Sequence, residues 1–226
     1  MYLGSLLKSA NRSCEKIFVK GICFDSRKTK KNDVFFAIEG NQSSGSKFIS
    51  EAVSKGAAVV VSNKKIKLKN QQIPIIVVRD VRKSLSEACS KFFREKPENI
   101  IAVTGTNGKS SVADFFLQIL SLNKISVASI GTLGILSKNY NKKTNLTSID
   151  PLSLHKNLKI LARKKINHVI LEASSHGLKQ HRLDGLKFNI GIFTNLSRDH
   201  LDYHKSFENY LKSKMILFNK LMNKSS

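Results

Sequence analysis

The segment Thr104-Gly105-Thr106-Asn107-Gly108-Lys109-Ser110-Ser111 carries the plainest chemistry in this sequence. Glycines at 105 and 108 let the main chain curl until N–H groups point at one spot, Lys109 adds a point charge, and a following helix adds the positive end of its dipole. Such a cradle takes phosphate oxygens, and the Ser110 hydroxyl suits Mg²⁺. The general phosphate-loop pattern G-x-x-x-x-G-K-[ST] would place its first glycine at Val103, so a shorter loop is indicated.

Further reactive types fall in clusters. Glu172-Ala173-Ser174-Ser175-His176-Gly177-Leu178 is followed by Gln180, His181 and Arg182. A carboxylate ending a strand, on the sheet edge that faces a phosphate loop, suits Mg²⁺. On residue type alone, His176 and His181 read as ordinary surface histidines. His200 and His204 have the i, i+4 spacing of a zinc pair, but no third or fourth ligand stands at suitable spacing, so zinc is not expected. Lys212 and Lys214 read either as a solvated helix face or, where burial and nearby positive charge lower a pKa, as a reactive amine. Spacing does not choose between them. Asp25-Ser26-Arg27 reads as a turn with an ion pair or as a ligand-contacting turn. Cys14, Cys23 and Cys89 match neither a metal knuckle nor a disulfide framework and are expected to be reduced, half-buried thiols.

The elements that must position these groups alternate. Apolar runs at Ile17–Phe24, Val34–Ile38, Ala57–Val61 and Ile75–Val78 read as strands, and Lys47–Lys55 and Lys83–Glu95 as amphipathic helices. Pro97 in a polar stretch ends the second helix and predicts a domain boundary near residue 98. A second series then begins: strand Ile100–Val103, the glycine loop, and a helix whose apolar positions are Val112, Phe115, Phe116, Ile119 and Leu120. Strands follow at Val127–Ile130, Val169–Glu172 and Ile190–Thr194, with helices at Pro151–Lys164 and Ser206–Leu221. Such alternation predicts an α/β chain, a small mixed α/β domain over 1–98 and then a mostly parallel domain over 99–226, and the glycine loop after its first strand makes the second domain P-loop ATPase-like.

The chain has 226 residues, 41% of them hydrophobic, which suits one or two compact domains. No apolar run approaches membrane-spanning length, and the first residues lack the apolar core of a signal peptide, so a cytoplasmic protein is expected. Thirty-nine basic against 16 acidic side chains give +23. The charge is spread along both halves, which favours anionic small molecules such as nucleotides over a nucleic-acid partner.

The loop T-G-T-N-G-K-S-S resembles the ATP loop of the Mur ligases and their folylpolyglutamate synthetase relatives. Four further segments resemble the MurE type of that family, the UDP-N-acetylmuramoyl-tripeptide synthetases. Asp25-Ser26-Arg27 with Asp33-Val34-Phe35-Phe36-Ala37-Ile38-Glu39-Gly40 resembles its uridine-nucleotide domain, and implies UDP-sugar contacts at Ser26, Asn41, Gln42 and Ser43. The Glu172–Arg182 segment matches E-[VA]-S-S-H-G-L-x-Q-x-R, implying muramoyl-dipeptide contacts at Ser174, Gln180 and Arg182. Phe193-Thr194-Asn195-Leu196-Ser197-Arg198-Asp199-His200-Leu201-Asp202-Tyr203-His204 implies that His200 binds a second metal. Tyr210-Leu211-Lys212-Ser213-Lys214 resembles Y-x-x-A-K and implies that Lys214 is the lysine carbamylated by CO₂, with Ser213 where the family has Ala. The family's T-T-P or T-T-G segment appears as Leu146-Thr147-Ser148-Ile149, which carries substrate contacts over to Thr147 and Ser148.

By this resemblance the chain is an ATP-dependent ligase of peptidoglycan precursor synthesis. It joins a diamino acid, meso-diaminopimelate or lysine, to UDP-N-acetylmuramoyl-L-alanyl-D-glutamate through an acyl phosphate. Gly105, Thr106, Asn107, Gly108, Lys109, Ser110 and Ser111 hold ATP; Ser110, Glu172, His200 and carbamylated Lys214 hold Mg²⁺; Lys109, His200 and Lys214 are catalytic. Neither a nucleic acid nor a membrane partner is implied, and a monomer is expected. The chain ends soon after Lys214, so the resemblance implies an incomplete ATP domain, no C-terminal domain and no turnover from this chain alone. The alternatives are a UDP-sugar-binding module without activity and a MurF-type ligase; the latter lacks S-S-H-G-L-x-Q-x-R.

Overall fold

The structure, a computed structural model, describes residues 1–40, 44–66, 73–144 and 146–223. The chain forms two compact units, Met1–Phe92 and Phe93–Ser226. In the first, α1 (Leu3–Leu6) precedes β1 (Gly21–Cys23), β2 (Asp33–Phe36), α2 (Ile49–Ser54), β3 (Val59–Ser62), β4 (Ile75–Val77) and α3 (Val81–Phe92). The four strands pair in sequence order and all in parallel. Central strands β2 and β3 are buried along their whole length, as near-continuous Val and Phe runs require. Phe35, Ile49, Ala52 and Val60 centre the core on one side.

The run read as a strand from Ile17 pairs in the sheet only from Gly21. Its beginning is claimed by the N-terminus: Leu3 N–H donates to the Ile17 carbonyl and Val19 N–H to that of Met1. Backbone groups already paired there cannot extend the parallel ladder.

The second unit runs β5 (Asn99–Thr104), α4 (Lys109–Leu122), β6 (Val127–Gly131), β7 (Gly134–Ser137), α5 (Pro151–Arg163), β8 (His168–Glu172), α6 (Ser175–Lys179), β9 (Ile190–Phe193), α7 (Leu201–His204) and α8 (Phe207–Ile216). Its sheet has the order β7-β6-β8-β5-β9, parallel except for the β6–β7 hairpin. That antiparallel edge was not evident from periodicity. It turns through Gly131 and Gly134, and at Gly134 φ is +107°, a conformation that favours glycine.

The topology places the site. From β5 the chain crosses to β6, returns through β8, then jumps to β9 on the other side of β5. Ligands of open α/β sheets sit at such a reversal, outside the carboxyl ends of the strands. Helix α5 starts where sequence chemistry places it, with Pro151 in its first turn and Asp150 accepting from Ser153 N–H at 2.8 Å. Ser206 likewise caps α8, but the helix read as continuous to Leu221 changes to a wider π turn over Leu217–Leu221.

Candidate functional site

The glycine loop leaves β5 and enters α4. Gly108 caps α4 with φ +80°, in the left-handed region, and the nearest atoms to an added Cβ are 3.9 Å away, so conformation rather than space demands glycine there. At Gly105 conformation and space both count: φ is +151°, and a Cβ would collide with the Thr194 hydroxyl.

The loop is sewn to the segment after β9. Thr106 N–H donates to the Asn195 carbonyl at 3.0 Å, and Asn107 N–H donates to Asn195 Oδ1 at 3.0 Å. Thr194 Oγ1 donates to the Asn107 carbonyl at 2.6 Å. Thr106 Oγ1 accepts from Ser197 N–H at 3.0 Å and lies 3.1 Å from Tyr210 Oη. The expectation that successive loop amides aim at phosphate is therefore corrected at Thr106 and Asn107, whose N–H groups are spent on Asn195. The donors left for an anion are those of the first turn of α4, at Lys109, Ser110 and Ser111, because the opening N–H groups of a helix have no intrahelical acceptor.

Two lysines meet beneath this loop. Lys109 Nζ donates to the carbonyls of Gly105 at 2.9 Å and Thr106 at 2.7 Å. Burial pushes its pKa down, against the raising effect of Glu172 and Asp199. Lys214 is 1% exposed, donates to the same Gly105 carbonyl at 2.6 Å and sits 4.3 Å above the Tyr210 ring. Burial first, then the charge of Lys109, pushes its pKa down to about 8. Lys212, its rival in sequence, is exposed and pairs with Glu208 at 2.6 Å.

Glu172, 3% exposed, ends β8, a central strand buried from Val169 onward. It accepts from Ser110 Oγ at 2.9 Å, Thr132 N–H at 2.9 Å and Thr132 Oγ1 at 3.1 Å. Gly131 makes room for it, since a Cβ there would run into the carboxylate. Thr132 also lies 3.0 Å from Thr147 Oγ1. This buried carboxylate beside a hydroxyl at a helix N-terminus is a hard-oxygen set that fits Mg²⁺.

Ser148 and Ser174 act on each other. Ser148 Oγ donates to the Glu172 carbonyl at 2.9 Å and accepts from Ser174 N–H at 2.9 Å. Ser174 caps α6 by accepting from Gly177 N–H at 3.1 Å. Arg182 donates to the Ser148 carbonyl and to Gln180 Oε1, and Gln180 Nε2 donates to Tyr203 Oη at 3.2 Å. Thr147, Ser148, Ser174, Gln180 and Arg182 therefore gather at one place beside Glu172.

His200, exposed and with φ +52°, stands edge-on to His176 at 4.9 Å, with Nε2 3.4 Å from Asp199 Oδ2. His176 in turn lies against Tyr203 at 4.1 Å. Burial pushes the pKa of His176 down, and that of buried His204 down to about 4. Among the described residues no three His, Cys, Asp or Glu side chains converge as a metal cage. Glu172 and His200 thus enter the site from separate elements, one beside Ser110 and the other beside Asp199 and His176.

In the first unit, Asp25 and Arg27 do form the turn ion pair, Nε to Oδ1 at 2.9 Å and Nη2 to Oδ2 at 3.0 Å. The Arg27 hydrogen bond holds the Asp25 carboxyl below its usual range. Ser26 is buried and donates to Glu51 Oε2. These residues line a cleft of about 520 Å³ with Phe35, Gly40 and Phe48. Asn41, Gln42 and Ser43 lie outside the described residues.

Thr132, Asn195 and Tyr210 were given no role in the sequence reading, because each acts through a partner far along the chain: Glu172, Asn107 and Thr106 respectively. Asp199, also without a role there, pairs with its neighbour His200.

The Mur ligase middle domain matches residues 103–226, and the Mur ligase family catalytic domain matches residues 18–94. A protein of Rhizobium meliloti (strain 1021) named "UDP-N-acetylmuramoyl-L-alanyl-D-glutamate--2,6-diaminopimelate ligase" is 43% identical over 93% of this chain and 43% of its own length. A Rickettsia montanensis protein of the same name is 47% identical over 88% of this chain and 42% of its own. A solved structure under that name superimposes with a TM-score of 0.82 at 32% identity, over 95% of this chain and 44% of that one. MurF ligase from Thermotoga maritima in complex with ADP, at 22% identity and a TM-score of 0.57 over 88% of this chain and 43% of that one, shares the fold. The chain spans less than half the length of these relatives. Because the middle-domain match alone takes in more than half of the 226 residues, the chain belongs to the Mur ligase family.

Proposed function

We propose that this chain carries the UDP-sugar-binding and ATP-binding parts of a ligase that joins 2,6-diaminopimelate to UDP-N-acetylmuramoyl-L-alanyl-D-glutamate. The observation that carries this reading is the convergence, at the carboxyl edge of β5 and β8, of Lys109 and Lys214 on Gly105 and of Ser110 on Glu172. The names of the relatives support diaminopimelate over lysine.

The reaction requires an anionic carboxylate to approach an anionic triphosphate, so charge neutralisation and alignment are the main tasks. The first-turn amides of α4 and Lys109 are placed for phosphate oxygens, and Arg182 offers its planar guanidinium to a substrate carboxylate. Mg²⁺, when bound, supplies further positive charge between the reactants, with Ser110 and Glu172 as the residues that would hold it. His200, half a site away beside Asp199, is assigned to a second ion. Gly105, Thr106, Asn107, Gly108 and Ser111 shape the ATP cradle; Ser26 and the Thr147–Arg182 group face the UDP-sugar and dipeptide portions.

Carbamylation of Lys214 belongs to the same proposal. Its amine nitrogen would bond to the carbon of CO₂ and release a proton, replacing a buried cation with oxygen donors. Burial and the Lys109 charge support this, since they enlarge the neutral fraction that reacts.

Calorimetry with UDP-N-acetylmuramoyl-dipeptide and with a non-hydrolysable ATP analogue tests the reading. Both ligands are expected to bind, and Lys109→Ala should lose the analogue alone. An unchanged analogue affinity in Lys109→Ala would sink the assignment. Binding of the UDP-sugar without the nucleotide would favour the second reading, a binding module built on the cleft at Ser26.

A further inference from the structure

His204 is 0% exposed, yet both ring nitrogens have partners. Its Nδ1 lies 3.1 Å from Ser213 Oγ, and its Nε2 lies 3.0 Å from Ser175 Oγ. Ser213 has a single hydroxyl proton, which it donates to the Asn209 carbonyl at 2.7 Å. Its oxygen can therefore only accept from His204, which puts a proton on Nδ1. In the neutral ring Nε2 is then an acceptor, and the Ser175 hydroxyl donates to it.

We propose that Ser213, His204 and Ser175 form a buried positioning relay that ties α8 to the start of α6 and holds His204 in its Nδ1-protonated tautomer. The relay has a place in the site. Ser213 directly precedes Lys214 on α8, while Ser175 opens α6 three residues after Glu172. One imidazole thus sets the register between the helix that carries the buried amine and the turn that follows the buried carboxylate. Alanine at position 213, the residue the family motif carries, would leave Nδ1–H without this acceptor, so the tautomer lock belongs to this chain rather than to the motif. The inference rests on hydrogen bonds within the chain and stands apart from the ligase reading, because none of the three residues carries that reading.

Two-bond ¹H–¹⁵N correlation spectra of chain labelled with [¹⁵N]histidine at neutral pH test it, the His204 signals being assigned by their loss in His204→Gln. The expected wild-type spectrum is that of the Nδ1–H tautomer. Ser213→Ala should give a mixed or Nε2–H tautomer, with amide exchange at Gly177 and Leu178 faster by roughly fivefold. Ser213→Thr, which keeps the hydroxyl, should restore both. An Nε2–H or doubly protonated ring in the wild type overturns the proposal, as does a Ser213→Ala spectrum identical to wild type. The wild-type spectrum decides even if Ser213→Ala does not fold. Lys109→Ala should leave the tautomer unchanged, so failure here and failure of the ligase reading are told apart.

Discussion

The amines of Lys109 and Lys214, 105 positions apart in the chain, donate to one carbonyl, that of Gly105, at 2.9 and 2.6 Å. Two cations on one acceptor repel, and the repulsion adds to burial in pushing the Lys214 pKa down to about 8.

This arrangement has a thermodynamic sign. Between pH 8 and the ordinary lysine range the unfolded chain keeps the Lys214 proton that the folded chain has released. The unfolded state then binds more protons, so this residue makes stability rise with pH through that window, and destabilises the folded state below it. Lys109, shifted in the same direction, adds to the slope. Urea unfolding of wild type and Lys214→Met from pH 7 to 10 should show the variant gaining relative stability at pH 7 and losing that advantage by pH 10. A constant difference across the range would contradict the buried, depressed amine.

Gly131→Ala tests the seat of Glu172. The added methyl would meet the carboxylate that Ser110 and Thr132 hold. Overpacking of this kind costs about 1–3 kcal/mol, measurable by chemical unfolding. A cost under about 0.5 kcal/mol would mean that Glu172 has another place to go.

Tyr210→Phe and Thr106→Val remove the two ends of the 3.1 Å contact that pins the glycine loop to α8. Each is expected to cost about 1 kcal/mol, and the double variant less than the sum of the two, with a coupling of at least about 0.5 kcal/mol. Strict additivity in a double-mutant cycle would remove the hydroxyl pair as a link.

Ser26→Ala addresses the first unit. Loss of the buried hydroxyl that donates to Glu51 should weaken calorimetric UDP binding several-fold while leaving the ATP analogue unaffected. Equal UDP affinity in the variant would take Ser26 out of the cleft's chemistry.

Local chemistry made much of this legible. Val and Ile runs marked the strands, Asp150-Pro151 and Ser206 marked helix starts, and Gly105 and Gly108 marked a glycine loop between a strand and a helix, because each signal is a property of a few adjacent residues. What adjacency could not convey was which distant groups would meet. Sequence physics left Lys212 and Lys214 equivalent; only the packing of α8 turned one to solvent and buried the other against Gly105. Nor could spacing show that Asn195 takes the amides of Thr106 and Asn107, or that Ser213 sets the proton on His204. Residue types determined which chemistry was possible; the side-chain pairings that select among the possibilities arise only when the sheet brings the ends of β5, β8 and β9 together, since hydrogen bonding and desolvation act over a few ångströms of space and not along the chain.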